Sequence, residues 1–383
     1  MRLRYLLLHA YGMGGTIRTV INQANAMAEA GHDVEVVSVV RRRDRPQFAL
    51  DPRVALSALV DQRDGVRPPS LGARVVRKLR GRAVPAGEFA VDYFTPQVER
   101  AVISYLASLS GGVVITTRPG LNLLSAKYTR RGVVKVAQEH MNLATHRKDV
   151  REALLRHYGA FDAVVVLTET DRKEYEQVLP GVRVERIPNA VHTVDQRRSE
   201  QNNKVVIAAG RLVAQKGFDM LMPAFAEVVR RHPDWQLRVY GTGPKKDRLR
   251  KQIEKLRLYN NVFLMGRTEH FDEELAKASL FVLSSRFEGL PMVMIEAMSH
   301  ALPIVSFDCP TGPADVLTSG VEGVLVPPGD SEALGRALAD LIGDREGRLR
   351  MGAAAVRTVQ AYSPASVMPQ WESLYGELLA ARR

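Results

Sequence analysis

The same local pattern recurs in both halves of this 383-residue chain: a short aliphatic run, a glycine-containing loop, then a segment with helical spacing of apolar residues. In the first half, residues 3–8 form the apolar run, residues 11–15 the loop, and residues 16–30 the helical segment. Residues 205–209 begin the pattern again in the second half. Strands that alternate with helices predict parallel sheets with helices on both faces. The sequence therefore predicts two doubly wound α/β domains.

The predicted elements follow this alternation. The first half has predicted strands at residues 3–8, 33–40, 113–117, 133–138 and 163–168, helices at 16–30 and 95–109, and a loop-rich basic region from 41 to about 88. The second half has predicted strands at 205–209, 236–240, 262–265, 280–283 and 303–307, and helices at 218–231, 247–258, 273–278, 291–300 and 331–342. A polar stretch near residues 188–203 has the composition of a linker. We therefore expect domains at residues 1–192 and 193–363, followed by a helix at 364–383.

Composition indicates the class of protein. The length exceeds what one compact core usually holds and fits two domains. No apolar run approaches the ~20 residues that a membrane helix needs. The short apolar run at the N-terminus fits a first β-strand better than a signal peptide, because a glycine-rich loop follows it at once. The single cysteine, Cys309, excludes an internal disulfide and suits a reducing cytoplasm.

The formal net charge of +12 is concentrated in the first half. Residues 41–82 alone carry 12 Lys and Arg against four Asp and Glu. A solvated basic surface, an anionic membrane, a phosphate-rich acceptor and nucleic acid are all compatible with this segment. Its only aromatic residue is Phe48, which argues against a platform for stacking single-stranded bases.

Two glutamates, Glu288 and Glu296, lie eight positions apart after the apolar run 280–284. The first falls in a loop with Gly289, and the second in the helix that follows. A glycine and a helix N-terminus suit a phosphate, whereas a carboxylate there suits hydroxyl groups. A sugar nucleotide contains both groups. The alternatives are a helix-capping role for Glu288 and a solvent-facing role for Glu296.

The loop at residues 210–217 places Arg211 and Lys216 between two glycines, after a strand and before a helix. Two cations in such a loop suit a diphosphate, although they also fit an ordinary surface loop. The spacing does not match the nucleotide P-loop, and neither 241–243 nor 12–15 completes the dinucleotide fingerprint. No Asp-x-Asp pair and no His/Cys cluster with metal spacing occurs. We therefore expect the cations to act in place of a divalent ion, with no metal and no cofactor.

Together these motifs resemble the family-4 retaining glycosyltransferases of GT-B fold. The Glu-x7-Glu spacing of Glu288 and Glu296 is the most specific element, and Gly210-Arg211 with Lys216-Gly217 is the next. The resemblance is strong over residues 200–345 and weak over the N-terminal half. It implies two facing Rossmann-like domains with a cleft between them, an acceptor-side first domain and a donor-binding second domain. It also implies that the helix at 364–383 packs back on the first domain.

The resemblance implies roles for the motif residues. Arg211 and Lys216 would hold the donor diphosphate and the charge that builds on the leaving group. Glu288 would bind hydroxyls of the donor sugar, and Glu296 those of the ribose. The backbone that cradles phosphate and sugar would be that of Gly289, Leu290, Pro291, Met292 and Val293.

Further site residues follow from the same resemblance. Gly14 and Gly15 match the family's N-terminal glycine pair, near the diphosphate and the acceptor. Gly266 and Arg267, in the segment 263–267, would contact the base through the backbone. His140 matches the family's histidine beside the reacting sugar.

Three other residues have competing interpretations. His9 also ends a strand and could compete with His140 for the place beside the sugar. Glu139 and Asp315 are interpreted as cap or loop residues.

The implied activity is retaining, metal-independent transfer of a hexose from a nucleoside diphosphate sugar, expected to be a UDP-sugar, to a hydroxyl acceptor. The segment 308–313 resembles a subgroup that uses UDP-hexoses on envelope polymers. A cell-envelope polysaccharide, a lipid-linked or a teichoic-acid-like acceptor is therefore expected, with the protein in the cytoplasm or peripheral at the inner membrane face. The alternatives are a sugar-nucleotide epimerase of the same fold and a basic nucleic-acid-binding protein; nucleic acid is not an expected partner of the favoured enzyme.

Overall fold

The computed structural model of the chain describes residues 1–65, 83–192 and 194–382. It divides into two compact units, Met1–Ala190 with Val367–Arg383 (unit 1) and Val191–Ser366 (unit 2). Each unit is built on one parallel sheet with helices packed against it, which confirms the predicted pair of doubly wound α/β domains. The basic stretch 74–82 lies outside the described residues.

Unit 1 contains a seven-stranded sheet. Its strands are β1 (Arg2–Leu7), β2 (Asp33–Arg41), β3 (Ala55–Asp61), β4 (Val113–Thr116), β5 (Val134–Gln138), β6 (Ala163–Val166) and β7 (Val184–Arg186). Its described helices are α1 (Gly15–Glu29), α2 (Pro96–Ser108), α3 (Pro119–Tyr128), α4 (Lys148–His157), α5 (Glu169–Val178) and the C-terminal α13 (Pro364–Ala380).

Unit 2 contains a six-stranded sheet. Its strands are β8 (Val205–Ala209), β9 (Gln236–Tyr240), β10 (Val262–Gly266), β11 (Leu280–Leu283), β12 (Ile304–Phe307) and β13 (Gly323–Val326). Its helices are α6 (Phe218–Arg231), α7 (Lys246–Lys255), α8 (Phe271–Lys277), α9 (Met292–Ser299), α10 (Pro313–Val316), α11 (Ser331–Gly343) and α12 (Arg345–Thr358).

Strand order determines where each sheet can hold a ligand. The first sheet runs β3-β2-β1-β4-β5-β6-β7 and the second β10-β9-β8-β11-β12-β13, with every pair parallel. The order reverses between β1 and β4 in unit 1, and between β8 and β11 in unit 2. Ligands of open α/β sheets bind at the carboxyl ends of strands at such a reversal. The loops after β8 and β11 therefore lie side by side at the edge where a ligand is expected.

Central strands match the prediction because they are buried on both faces. Every residue of β4, β6, β11 and β12 is buried, and such strands read as continuous apolar runs. The prediction was wrong at β3, which lies inside the region expected to be loop. β3 is an edge strand in which Val60 alone is fully buried, and it is held by parallel pairing with β2. Its sequence therefore lacks the apolar run that marked the others.

The C-terminal helix α13 completes the core of unit 1. Trp371 and Tyr375 are buried among residues of β1 and α1, with Trp371 only 2% exposed. Gln23 Nε2 donates a hydrogen bond of 2.9 Å to the Tyr375 hydroxyl, which lies 3.5 Å from the Tyr5 hydroxyl. The last helix of the sequence is thus part of the domain that the first helix belongs to.

None of the helices that the structure describes is both long enough and apolar enough to cross a membrane.

Replacing Trp371 with alanine should destabilise unit 1 by about 3–5 kcal/mol, because it removes a large buried side chain and leaves a cavity. Chemical denaturation followed by circular dichroism measures the change. Ser373→Ala, on the exposed face of the same helix, is the matched control and should change stability by less than about 0.5 kcal/mol. Equal effects of the two substitutions would show that α13 does not belong to the core.

Candidate active site

An ion pair joins the two loops at the strand-order reversal of unit 2. Lys216 Nζ lies 2.7 Å from Glu288 Oε1, and the Ser285 hydroxyl donates a hydrogen bond to the same oxygen. The backbone N–H of Arg286 donates to the carbonyl of Gln215 at 2.8 Å. The side chains of Lys216 and Glu288 are only 17% and 7% exposed. The pair is therefore largely shielded from water, and its two loops are fixed relative to each other.

Gly217 makes this close approach possible. Its backbone is left-handed, with φ of 62°, and an added Cβ would lie 1.8 Å from the carbonyl oxygen of Ser284. Any other residue would push the loop after β8 away from the loop after β11. The glycine that follows Lys216 in the motif is thus required for the contact between Lys216 and Glu288.

The pairing gives Glu288 a partner that the sequence did not reveal. The expected role of Glu288 was to bind sugar hydroxyls; in the structure its carboxylate holds the Lys216 ammonium in place. An ammonium group has three N–H donors, so this contact leaves Lys216 able to donate to a ligand as well. Arg211 is exposed, and its side chain has no ion pair or hydrogen bond recorded with any residue that the structure describes. It is available to an anion.

A cavity of about 510 Å³ lies at the carboxyl ends of β8, β9 and β10 in unit 2. Arg211, Gly266, Arg267, Val293 and Glu296 line it, as do other residues of the same strand ends. Five of the predicted site residues are thus brought together at one cavity. Its lining residues do not include Lys216, Glu288 or positions 289–292 within the described chain.

Lys216 nevertheless lies next to that cavity. An added Cβ on Gly210, which lines the cavity, would be 3.2 Å from three carbons of the Lys216 side chain. The lysine stem therefore runs along the backbone of the cavity wall.

Two backbone hydrogen bonds tie Glu288 to the loop that follows the next strand, β12. The N–H of Glu288 donates to Pro310 at 3.0 Å, and the N–H of Thr311 donates back to Glu288 at 3.2 Å. The loop after β12 thus holds the segment that leads into α9. This segment contains the remaining predicted residues Gly289, Leu290 and Pro291.

Two aromatic residues of the unit 2 cavity were not predicted. Tyr240 ends β9 and Phe271 begins α8, and their rings meet edge to face with centroids 5.5 Å apart. The Tyr240 hydroxyl donates to Glu274 at 2.6 Å, which fixes the ring. The position of Tyr240 directly before the Gly241-Thr242-Gly243 loop was the available signal.

Unit 1 has its own cavity, of about 580 Å³, at the carboxyl ends of β1, β4 and β5. His9, Thr117, Glu139, His140 and His146 contribute to its wall. Three arginines also line it: Arg42, Arg43 and Arg118.

His140 has no internal hydrogen bond. Both of its ring nitrogens are buried without a partner among the described residues. Burial lowers its pKa to about 4, so the imidazole is neutral near pH 7. His9 differs, because its Nδ1 lies 3.3 Å from the carbonyl of Val40. Of these two histidines, His140 is therefore the one whose ring nitrogens both lack a hydrogen-bond partner among the described residues.

Glu139 lies in the loop directly after β5, as predicted, but its side chain is buried there. Its Oε1 accepts hydrogen bonds from the Tyr158 hydroxyl and, at 2.7 Å, from Asn122 Nδ2. Burial raises its pKa to about 7, with smaller contributions from the charges of Glu88 and Asp171. A carboxyl group that titrates near neutrality therefore lies beside His140.

The arginines make the unit 1 cavity basic. Arg118 is paired with Glu88 at 2.6 Å, and Arg42 stacks over Tyr93 with its guanidinium 4.0 Å from the ring centroid. Three arginines face two carboxyl groups there, and one of these, Glu139, is only partly ionised near pH 7. Part of the basic segment 41–82 thus lines a cavity.

The glycine pair Gly14-Gly15 is not required by the fold. α1 begins at Gly15, and an added Cβ there would meet nothing within 4 Å; on Gly14 it would touch only Ile17, at 3.8 Å. By contrast, a Cβ on Gly12 would lie 2.9 Å from the His9 ring. Since side chains fit at both positions, the two glycines are more readily explained by the close approach of a ligand to the helix N-terminus.

Across the described residues, no group of three or more His, Cys, Asp or Glu side chains is arranged to hold a metal ion.

Two parallel doubly wound sheets with these loops define a GT-B fold. Residues 13–195 match the family described as Glycosyltransferase Family 4, and residues 193–358 match the one described as Glycosyl transferases group 1. The chain belongs to the family-4 glycosyltransferases.

Several known proteins are similar to this chain. The exopolysaccharide phosphotransferase SCO2592 of Streptomyces coelicolor is 36% identical over 394 residues, which cover 100% of this chain and 41% of that protein. The poly(glycerol-phosphate) alpha-glucosyltransferase of Bacillus subtilis is 29% identical over 58% of this chain and 33% of that protein. This chain thus spans less than half the length of either relative.

A solved structure has the same fold. TarM of S. aureus, crystallised as a variant with fondaparinux, alpha-GlcNAc-glycerol and UDP, superposes with a TM-score of 0.78 at 17% identity. The match covers 98% of this chain and 100% of TarM.

Lys216→Ala should lower turnover by about 10²–10³-fold, because it removes a preorganised cation. It should also lower the free energy of unfolding by about 3 kcal/mol or more, because the buried Glu288 carboxylate loses its partner. The double variant Lys216→Ala/Glu288→Gln should regain most of that stability, since glutamine carries no charge, while turnover stays low. Thermal unfolding and sugar-transfer rates measured on the same preparations separate the two effects. Recovery of turnover in the double variant would contradict the assignment of Lys216 to the site.

Gly15→Ala should leave thermal stability unchanged or slightly raised, because the Cβ meets no protein atom and alanine favours helix. Turnover should fall at least tenfold if a ligand approaches this backbone. Gly217→Ala is the contrasting variant, which should unfold at lower temperature. Normal turnover of the Gly15 variant would remove the glycine pair from the site.

Glu139→Gln should become more stable relative to the wild type as pH rises. The folded protein keeps Glu139 protonated up to about pH 7, whereas the unfolded chain ionises it from its ordinary pKa of 4.5 upward, so ionisation favours unfolding. The difference in unfolding free energy between variant and wild type should grow by roughly 2–3 kcal/mol from pH 5 to pH 8. Urea denaturation at both pH values measures it, with the exposed Glu152→Gln as control. A pH-independent difference would show that Glu139 has an ordinary pKa.

Proposed function

We propose that this chain transfers a hexose from a UDP-sugar to a hydroxyl group of a phosphate-containing cell-envelope polymer, with retention of anomeric configuration and without a metal ion. The observation that carries the donor half is the arrangement at the strand-order reversal of unit 2. There the exposed Arg211, the buried Lys216–Glu288 pair and the cavity with Glu296 all lie at one edge of the sheet.

This arrangement would assist the step in which the diphosphate leaves the sugar. Negative charge grows on the diphosphate as the bond to the sugar breaks. Arg211 can hold two phosphate oxygens with its planar fork, and Lys216 adds a point charge whose position Glu288 fixes. Cations that are already in place when the charge develops are the largest single contribution in many enzymes. We assign this role to Arg211 and Lys216 rather than to a bound metal.

We propose retention from the resemblance to the retaining family, and the engaged groups indicate how it would occur. Glu288 Oε1 is occupied by Lys216 and Ser285, so we assign Glu288 to positioning and to sugar hydroxyls, not to attack on the anomeric carbon. The acceptor then enters on the face that the diphosphate leaves. His140, as a neutral imidazole, would hydrogen-bond to a hydroxyl of the reacting sugar. Glu296 would bind the ribose hydroxyls in the unit 2 cavity.

The acceptor class rests on the basic cavity of unit 1. Three arginines line it against two carboxyl groups, one of them only partly ionised near pH 7, and such a cavity favours an anionic ligand. The Bacillus subtilis relative is named for poly(glycerol-phosphate), and the Streptomyces coelicolor relative for exopolysaccharide. The TarM crystals contained UDP, alpha-GlcNAc-glycerol and the oligosaccharide fondaparinux. These names and ligands support a nucleotide sugar donor and a glycan or polyol-phosphate acceptor.

We further propose that the basic first half brings the enzyme to an anionic membrane where such polymers are made. More of the protein should sediment with liposomes that contain phosphatidylglycerol than with neutral phosphatidylcholine liposomes. The fraction that sediments with the anionic liposomes should fall at high salt. Equal sedimentation with both kinds of liposome would contradict recruitment to an anionic membrane.

The donor and acceptor can be tested in sequence. UDP and UDP-hexoses should raise the unfolding temperature more than GDP or ADP compounds. Stabilising UDP-hexoses should then yield labelled product with poly(glycerol phosphate) or poly(ribitol phosphate), and NMR of that product should show the donor's anomeric configuration. Turnover of the donor without any acceptor into an epimer, or inversion in the product, would contradict the proposal.

A further inference from the structure

Two buried polar atoms in the unit 1 cavity face each other without a hydrogen-bond partner. Glu139 Oε2 and His146 Nε2 are 3.9 Å apart, and neither has a partner among the described residues. The two side chains are only 1% and 2% exposed. Unpaired buried polar atoms are costly, and they commonly mark a place where a ligand or water supplies the missing bonds.

The distance between the two atoms suits a bridging hydroxyl oxygen. A hydroxyl oxygen placed ~2.8 Å from each atom would make a normal hydrogen bond to both. A hydroxyl can donate to one atom and accept from the other, so it satisfies the pair whether Glu139 carries its proton or not. A phosphate oxygen has no proton to donate and would be repelled by an ionised Glu139.

The surrounding side chains hold this pair rigidly. The other oxygen of Glu139 accepts from Tyr158 and from Asn122 Nδ2, and Asn122 Nδ2 also lies 2.9 Å from the Tyr158 hydroxyl. The Tyr158 ring packs edge to face on Phe161, with centroids 5.2 Å apart. These contacts come from α3 and from the segment after α4, so Glu139 Oε2 is held in one direction.

We propose that Glu139 Oε2 and His146 Nε2 form a hydroxyl-binding site for the polyol or sugar part of the acceptor, next to the arginines that take its phosphate. The assignment to the acceptor rests on the proposed function, because the donor nucleotide is placed in unit 2. Glu139 and His146 are positioning residues. Together with Arg42 and Arg43 they would select an acceptor that carries a hydroxyl and an anionic group in the same repeating unit.

Direct binding tests the site without the reaction. Ribitol 5-phosphate and inorganic phosphate are titrated by calorimetry into wild type, Glu139→Gln, His146→Leu and His146→Gln. Ribitol 5-phosphate should bind at least tenfold more weakly to His146→Leu and to Glu139→Gln, because each changes the donor and acceptor pattern around the hydroxyl. Inorganic phosphate should bind equally to all four. His146→Gln, whose amide nitrogen can replace Nε2, should restore ribitol 5-phosphate binding to within about threefold. Unchanged binding of ribitol 5-phosphate to His146→Leu, or equal weakening of inorganic phosphate, would overturn the proposal.

Kinetics separate the acceptor from the donor. In transfer to poly(ribitol phosphate), His146→Leu should raise the acceptor KM at least tenfold while the donor KM and the rate of UDP-hexose hydrolysis stay within about threefold. Glu152→Gln, an exposed residue of α4 that does not line this cavity, is the control and should change neither KM. A rise in the donor KM instead would assign the hydroxyl to the donor sugar. Absence of transfer by the wild type would count against the proposed function alone, since the calorimetry still tests the site.

Discussion

The ion pair between Lys216 and Glu288 is the contact on which the architecture of the donor site depends. It joins residues 72 positions apart, in the loops after β8 and β11, the two strands between which the strand order of the unit 2 sheet reverses. A buried ion pair of this kind contributes little net stability, because the desolvation of both groups offsets their attraction. Its consequence is positional: it fixes an ammonium group beside the cavity wall at Gly210 and orders both loops before any ligand arrives.

The two units use the same topology for different chemistry. In unit 2 the reversal brings cations and glycine-rich backbone together, which suits a diphosphate. In unit 1 it brings neutral histidines, a nearly neutral glutamate and arginines to the ends of β1, β4 and β5. Burial is the main cause of both pKa shifts. It keeps His140 uncharged and Glu139 only partly ionised near pH 7, and both can form hydrogen bonds with a polar ligand. The unit 1 cavity therefore combines neutral hydrogen-bonding groups with arginine charge.

The sequence predicted most of the fold because most strands are buried on both faces. β11 was predicted at the residues where it occurs, and α9 within one residue at each end. The edge strand β3 was missed because its stability comes from pairing with β2, which leaves no apolar signal. The sequence pattern and the family resemblance singled out Arg211 and Glu296, and both line the unit 2 cavity. The Lys216–Glu288 contact could not be found in this way, because it depends on which strands become neighbours. The loop position of Glu139 was predicted, but its raised pKa was not, because the burial that raises it depends on how other elements pack around it.

If the unit 2 cavity binds a nucleoside diphosphate through preorganised cations, removing Arg211 should weaken binding of the diphosphate but not of the nucleoside. Calorimetric titration of UDP and of uridine into the wild type and the Arg211→Ala variant separates the two, because the ligands differ only in the diphosphate. Arg211→Ala should weaken UDP binding by one to two orders of magnitude and leave uridine binding unchanged. Equal affinity of UDP for both proteins would contradict binding through these cations.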